Sequence, residues 1–227
     1  MATFVLVHGA WDGGWAWQGI GKLLQEAGHE VYRPTLTGSG ERVHLASPTI
    51  DLDTHLTDIV NVIRYENLDN VILVGLSYGG YVITGVAESI SERLHHLVFL
   101  DAFAPEDGET MNDMIGPELM AFFLEQARNL GAGWRVPHFP PDADRRTDAL
   151  LKPGSQPLRI SNLDAARLKH TYVQFTAKPP GDPLQPIMVR MAERAKAKGW
   201  HYRELAVDHF PLLDQPEIVA NLLLELV

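Results

Sequence analysis

Residues 71–80 read Val-Ile-Leu-Val-Gly-Leu-Ser-Tyr-Gly-Gly, four aliphatic residues running straight into Gly75-x-Ser77-x-Gly79. The apolar run reads as a buried strand, and the spacing beyond it (Tyr81, Val82, Val86, Ile90) reads as a helix. A serine at that junction sits on a turn too tight for side chains on its flanks, which is why glycine holds those places. The same turn imposes strained backbone angles on Ser77 and lifts its hydroxyl off the sheet edge. A strand that feeds such a turn calls for a parallel sheet with crossover helices.

The rest of the chain keeps that rhythm. Further strands are predicted at Thr3–Val7, Glu30–Pro34, Leu94–Leu100, Thr171–Phe175 and Tyr202–Ala206. Helices are predicted at Trp15–Ala27, Leu52–Glu66, Gly80–Ser91, Gln185–Lys198 and Pro216–Leu226, the last with Asp214 as its cap. With Val71–Val74 this makes six strands in an α/β, mainly parallel, doubly wound sheet. From Ala104 to about Lys169 the rhythm stops: no run is strand-like and prolines recur. A structureless connection of that length is improbable inside one domain. It reads as a small helical cap over residues 104–169, with helices at Pro117–Leu130 and near Asp142–Leu151. The core is then 1–103 and 170–227, one domain for 227 residues.

Composition removes several function classes. A net charge of −10 argues against nucleic acid and anionic membrane surfaces as partners. The absence of cysteine excludes disulfides and thiolate metal sites. No run reaches membrane-spanning length, and a first strand at Thr3 leaves no room for a signal peptide, so a cytoplasmic location is expected. Neither cofactor nor metal is expected.

A serine hydroxyl needs a general base within hydrogen-bond reach. The order expected with this turn is Ser, then acid, then His. His209 lies after the last predicted strand and before the terminal helix, a combination that no other histidine of the ten offers. The others read as surface or strand-terminal residues, with His201 and Asp208 the nearest decoys. Two aspartates compete to orient the imidazole. Asp182 follows the fifth strand in Lys178-Pro-Pro-Gly-Asp182-Pro183, and Asp101 ends the fourth in Phe99-Leu-Asp101-Ala-Phe103. Asp182 is preferred; Asp101 stays open as the alternative. Amides for an oxyanion should come from Tyr78, after the serine, and from Ala10 in the Gly-rich loop after the first strand. His8 reads as structural, and Asp12 is left undecided. Apolar candidates for a substrate pocket are Trp11, Phe103, Phe122, Phe123, Trp134, Phe139, Tyr172 and Phe210, with Met114 and Met120; about half should belong to the core instead.

These segments carry a resemblance. Phe4-Val-Leu-Val-His-Gly-Ala-Trp11, Gly13-Gly-Trp15, the turn at 75–80 and Asp208-His-Phe210 resemble the α/β-hydrolases, and within them the esterase/hydroxynitrile-lyase branch. Pro34-Thr-Leu-Thr-Gly-x-Gly-Glu-Arg42 with His44-Leu45 is similar to small bacterial carboxylesterases of that branch. The resemblance implies the α/β-hydrolase fold and an acid in the loop matching Asp182. The lyases carry threonine where this chain has Gly9 and lysine where it has Phe210, so hydrolysis is favoured over cyanohydrin cleavage. Many relatives carry histidine where this chain has Leu76, whose side chain should point away from the reaction. The expectation is a serine carboxylesterase for a small, largely apolar ester, aromatic ones included. Amide or carbamate hydrolysis is the alternative; a lyase or a hydrolase-like ligand receptor is less favoured. Apolar residues of the cap could line the pocket or a homodimer surface.

Overall fold

In the computed structural model, which describes residues 1–138 and 145–227, the six predicted strands form one parallel sheet. They are β1 (Thr3–Val7), β2 (Glu30–Tyr32), β3 (Val71–Leu76), β4 (Leu94–Leu100), β7 (Lys169–Phe175) and β8 (His201–Leu205), in the order β2-β1-β3-β4-β7-β8. The Ser77 strand is central, flanked by β1 and β4 in parallel register (Val7 beside Gly75, Leu100 beside Leu76). Buried on both faces, β3 has no polar side chain, as parallel strands require.

Alternation along the strands separates two cores. Val5, Val7, Leu73 and Phe99 pack with α2 (Leu52–Tyr65), α3 (Tyr78–Ile90) and α8 (Gln185–Ala197). Phe4, Leu6, Val74 and Leu100 face the other way, against α1 (Gln18–Glu26) and α10 (Pro216–Leu224). Leu76 belongs to this second cluster, on the face away from α3. The first turn of the helix expected at Trp15 is 3₁₀ (Gly14–Trp17). The N-cap of α10 is Gln215, not Asp214, because Asp214 closes the short α9 (Pro211–Asp214).

Between β4 and β7 lie α4 (Met111–Ile115), α5 (Pro117–Leu130), α6 (Leu151–Ser155) and α7 (Leu163–Arg167). Thr110 and Asp113 form a reciprocal capping box that starts α4. The segment also holds a short antiparallel pair that no apolar run announced, β5 (Arg135–Val136) with β6 (Ala149–Leu150). Two residues per strand are too few to show a period. The helix expected from Asp142 begins outside the described residues; among those that are described, Ala149 and Leu150 are strand and helix starts at Leu151. Phe139 also lies outside them. Among the described residues no helix is long and apolar enough to cross a membrane.

Candidate active site

Ser77 stands between β3 and α3 with φ +52° and ψ −116°, a conformation L-residues adopt only at a cost of about 1–3 kcal/mol. Three hydrogen bonds hold it there. Ser77 N donates to Leu100 O at 3.2 Å, and Ser77 O accepts from Gly80 N at 3.0 Å and Phe103 N at 3.1 Å. The glycines are required by close approach. A Cβ on Gly75 would lie 2.5 Å from the Gly79 backbone, and one on Gly79 would lie 2.6 Å from Val7 O. Gly79→Ala is therefore expected to lose about 1–3 kcal/mol of stability, read by thermal denaturation, because backbone cannot yield as a side chain can.

His209 Nε2 lies 3.0 Å from Ser77 Oγ, and its Nδ1 lies 2.6 Å from Asp101 Oδ2. The imidazole is buried at 2 % exposure and Asp101 at 0 %. The loop holding the imidazole is tied to the sheet through Ala177 N, which donates to Val207 O at 2.9 Å. Phe210 N donates to Asp208 Oδ1 at 2.7 Å, and the Phe210 ring meets the imidazole edge-on. Asp208 thus turns the loop and makes no bond to the imidazole.

The preference for Asp182 is corrected by this geometry. Asp182 Oδ1 accepts from Leu184 N at 2.8 Å, a local turn before α8, while Nδ1 of His209 is already paired with Asp101. Asp101 is built for the position. It ends the strand next to β3, with φ +42°, and its amide donates to Val173 O at 2.8 Å. Its Oδ1 accepts from Phe175 N at 3.1 Å and from Lys178 Nζ at 2.8 Å.

On the other side of Ser77, the loop after β1 passes close enough that a Cβ on Gly9 would lie 3.2 Å from Ser77 Cβ. Ala10 and Tyr78 both line the small cavity at Ser77. As the first residue of α3, Tyr78 has an amide with no intrahelical acceptor. His8 is structural as expected: its Nδ1–H donates to Gly9 O at 2.7 Å and its Nε2 accepts from Leu36 N at 3.1 Å. Burial lowers its pKa, in keeping with that neutral tautomer. Asp12, left undecided from sequence, pairs with Arg146 (Nε to Oδ1, 3.0 Å), and burial pushes its carboxyl up. The Arg146 guanidinium lies 4.4 Å over the Phe210 ring.

His55 departs from the surface reading given to most histidines. It is buried, accepts from the Tyr78 hydroxyl at Nδ1 (2.8 Å) and donates from Nε2 to Thr37 O (3.0 Å). Burial lowers its pKa too. Tyr78, the residue that follows the serine, is thereby anchored on His55. No single-residue signal marked His55; its position on the buried face of α2 was the available one.

Two apolar cavities flank the serine and imidazole. The inner one, about 60 Å³, is lined by Ser77, Ala10, Tyr78, Phe103, Met111 and Ile115 among others. The outer one, about 670 Å³, is lined by His209, Phe210, Phe122, Leu119, Pro183 and Asp182 among others. Trp11, Phe123, Val136 and Leu184 form the wall shared by both. Of the pocket candidates, Trp11, Phe103, Phe122, Phe123, Met120 and Phe210 are found here. Met114 and Trp134 are not. Met114 is buried in the core cluster, with its carbonyl accepting from Arg190, and Trp134 stacks under the Arg135 guanidinium. Tyr172 is buried in the sheet, its hydroxyl donating to Ala102 O at 3.0 Å. Among the described residues no group of three or more His, Asp or Glu side chains could hold a metal ion.

A family model for alpha/beta hydrolases matches residues 4–222, nearly the whole chain. This protein belongs to the alpha/beta hydrolase family. Among curated relatives it is 49 % identical over 128 residues to a carbendazim hydrolyzing esterase of Nocardioides sp. (strain SG-4G), covering 55 % of this chain and 53 % of the relative. It is 36 % identical over 105 residues to an alpha-hydroxynitrile lyase of Arabidopsis thaliana, covering 45 % and 40 %. The chain thus spans about half the length of the curated relatives it matches. Among solved structures, an extracellular alpha/beta-hydrolase from a Paenibacillus species superposes with a TM-score of 0.83 at 25 % identity, covering 99 % of this chain and 98 % of the other. A pyrethroid hydrolase from Sphingobium faniae, at 21 % identity and TM-score 0.74 over 99 % and 96 %, shares the fold.

Proposed function

We propose that this alpha/beta hydrolase is a serine carboxylesterase that cleaves short-acyl esters of bulky, apolar alcohols. The observation that carries the reading is the hydrogen-bonded chain Ser77–His209–Asp101, standing on a strained strand-to-helix turn between two apolar cavities. His209 takes the Ser77 proton as Oγ attacks the ester carbonyl, with the amides of Ala10 and Tyr78 receiving the oxyanion. The imidazolium then gives that proton to the departing alkoxide. A water molecule, deprotonated by the same imidazole, releases the acid from the acyl-enzyme and restores Ser77. Asp101 holds the Nδ1–H tautomer and stabilises the imidazolium, without itself taking a proton.

Substrate orientation follows from the roles of the two cavities. The proton donor must lie beside the leaving oxygen. His209 lines the outer cavity of about 670 Å³, so the alcohol half belongs there. The acyl half falls on the side of Ala10 and Tyr78, where about 60 Å³ is open. The relationship to a carbendazim hydrolyzing esterase supports esterase chemistry in this branch and makes carbendazim a substrate worth assaying.

The test uses two isomeric alkyl esters with the ester group reversed, so that leaving-group chemistry is matched. For 2-(2-naphthyl)ethyl acetate, kcat/KM should exceed that for methyl 3-(2-naphthyl)propanoate by at least about tenfold. Equal or inverted values overturn the orientation. Absence of multiple turnover on both, on p-nitrophenyl acetate and on carbendazim overturns the esterase reading and favours a ligand receptor.

A further inference from the structure

The mechanism above leaves one buried cation unused. Lys178 follows β7 by three residues, and its side chain is 1 % exposed. Its ammonium lies 2.8 Å from each carboxylate oxygen of Asp101 and 2.6 Å from Phe175 O. Asp101 Oδ1 and Phe175 O each accept a hydrogen bond from that ammonium. Asp101 in turn accepts from Phe175 N and Lys178 Nζ on Oδ1 and from His209 Nδ1–H on Oδ2. A lysine is almost never buried without a charge partner, and this one has chosen the carboxylate that orients the imidazole.

We infer that Lys178 is a positioning residue of the triad. It keeps Asp101 ionised and aimed at Nδ1, and it offsets part of the carboxylate charge that the imidazole feels. The inference rests on the esterase reading above. Its consequence is a matter of sign. A bare buried carboxylate favours the protonated imidazole, which cannot accept the serine proton. An ammonium behind that carboxylate weakens the preference, so the neutral base persists to lower pH. The other charged or titratable groups around the pair come from four places. Asp12 and Arg146 form an ion pair on the Phe210 side, Asp208 turns the histidine loop, Asp182 caps a turn at the cavity rim, and Tyr172 lies in β7 beneath Asp101. None of these is seen to bond the Asp101 carboxylate among the described residues, whereas Lys178 does.

The experiment compares kcat/KM against pH for the unmodified protein and Lys178→Met on p-nitrophenyl acetate, after turnover by the unmodified protein has established the esterase reading. In Lys178→Met the acid limb should move to higher pH by about one unit or more, kcat at pH 7 should fall, and KM should stay nearly constant. A purely structural lysine predicts a lower melting temperature with the limb unmoved. An acid limb within about 0.2 unit of the unmodified protein's, with kcat within about twofold, overturns the inference. If Lys178→Met does not fold, Lys178→Gln, which keeps a hydrogen-bond donor and removes the charge, should show the same displacement of the acid limb to higher pH, and an unmoved limb in that variant overturns the inference.

Discussion

Replacing Asp101 by asparagine is expected to lower kcat by about 10⁴-fold, while Asp182→Asn leaves it within about twofold. The amide at 101 keeps the shape of the carboxylate but loses the charge that stabilises the imidazolium. It can also present N–H to Nδ1, which drives the imidazole into the tautomer whose Nε2 carries the proton and cannot accept one from Ser77. Position 182 only closes a turn through Leu184 N, and its side chain reaches the rim of the outer cavity. Steady-state assays of both variants on one substrate, with circular dichroism to verify folding, give the comparison. Equal losses, or a larger loss at 182, would return the acid to the loop after β7. The contrast is sharp because both aspartates stand at the C-terminal side of neighbouring segments, yet only Asp101 lies within 2.6 Å of the imidazole.

Replacing Ser77 by alanine should have the largest effect, a loss of about 10⁶-fold in kcat with the fold intact. Alanine removes the attacking oxygen while leaving the strained turn and its three backbone hydrogen bonds in place. Residual hydrolysis then comes from the oxyanion amides and the cavity alone. A sulfonyl fluoride should sulfonylate Ser77 Oγ of the unmodified protein with loss of HF, seen as the mass of the reagent less HF, and should leave the variant unchanged. Full activity in Ser77→Ala, or modification elsewhere, would remove the serine mechanism.

Much of this site could be read in the chain because its determinants are local. The glycine at 75 follows from a backbone approach of 2.5 Å within one strand-turn-helix unit, while the one at 79 also answers to Val7 O of β1 at 2.6 Å. His209 was legible because it stands between a strand and a terminal helix. Lys178 was also visible, as a cation placed just after an apolar strand and before two prolines, but nothing in that segment names its partner. The pocket was legible only in part. Trp11 and Phe210 stand in loops that follow β1 and β8, whereas Met114 sits on a five-residue helix. On so short a helix one residue of rotation decides between cavity and core.

The sequence by itself determined the six-stranded parallel sheet, the strained serine turn and the histidine loop. Each depends on periodicity or on glycine at positions close together in the chain. Only the tertiary structure decided which carboxylate meets the imidazole. Two carboxylates of suitable chain order compete for one imidazole nitrogen, and the outcome depends on sheet order, which sets β4 between β3 and β7. That order brings the end of β4, the Lys178 loop and His209 together across sequence separations of 77 and 108 residues. No local pattern encodes contacts at that distance.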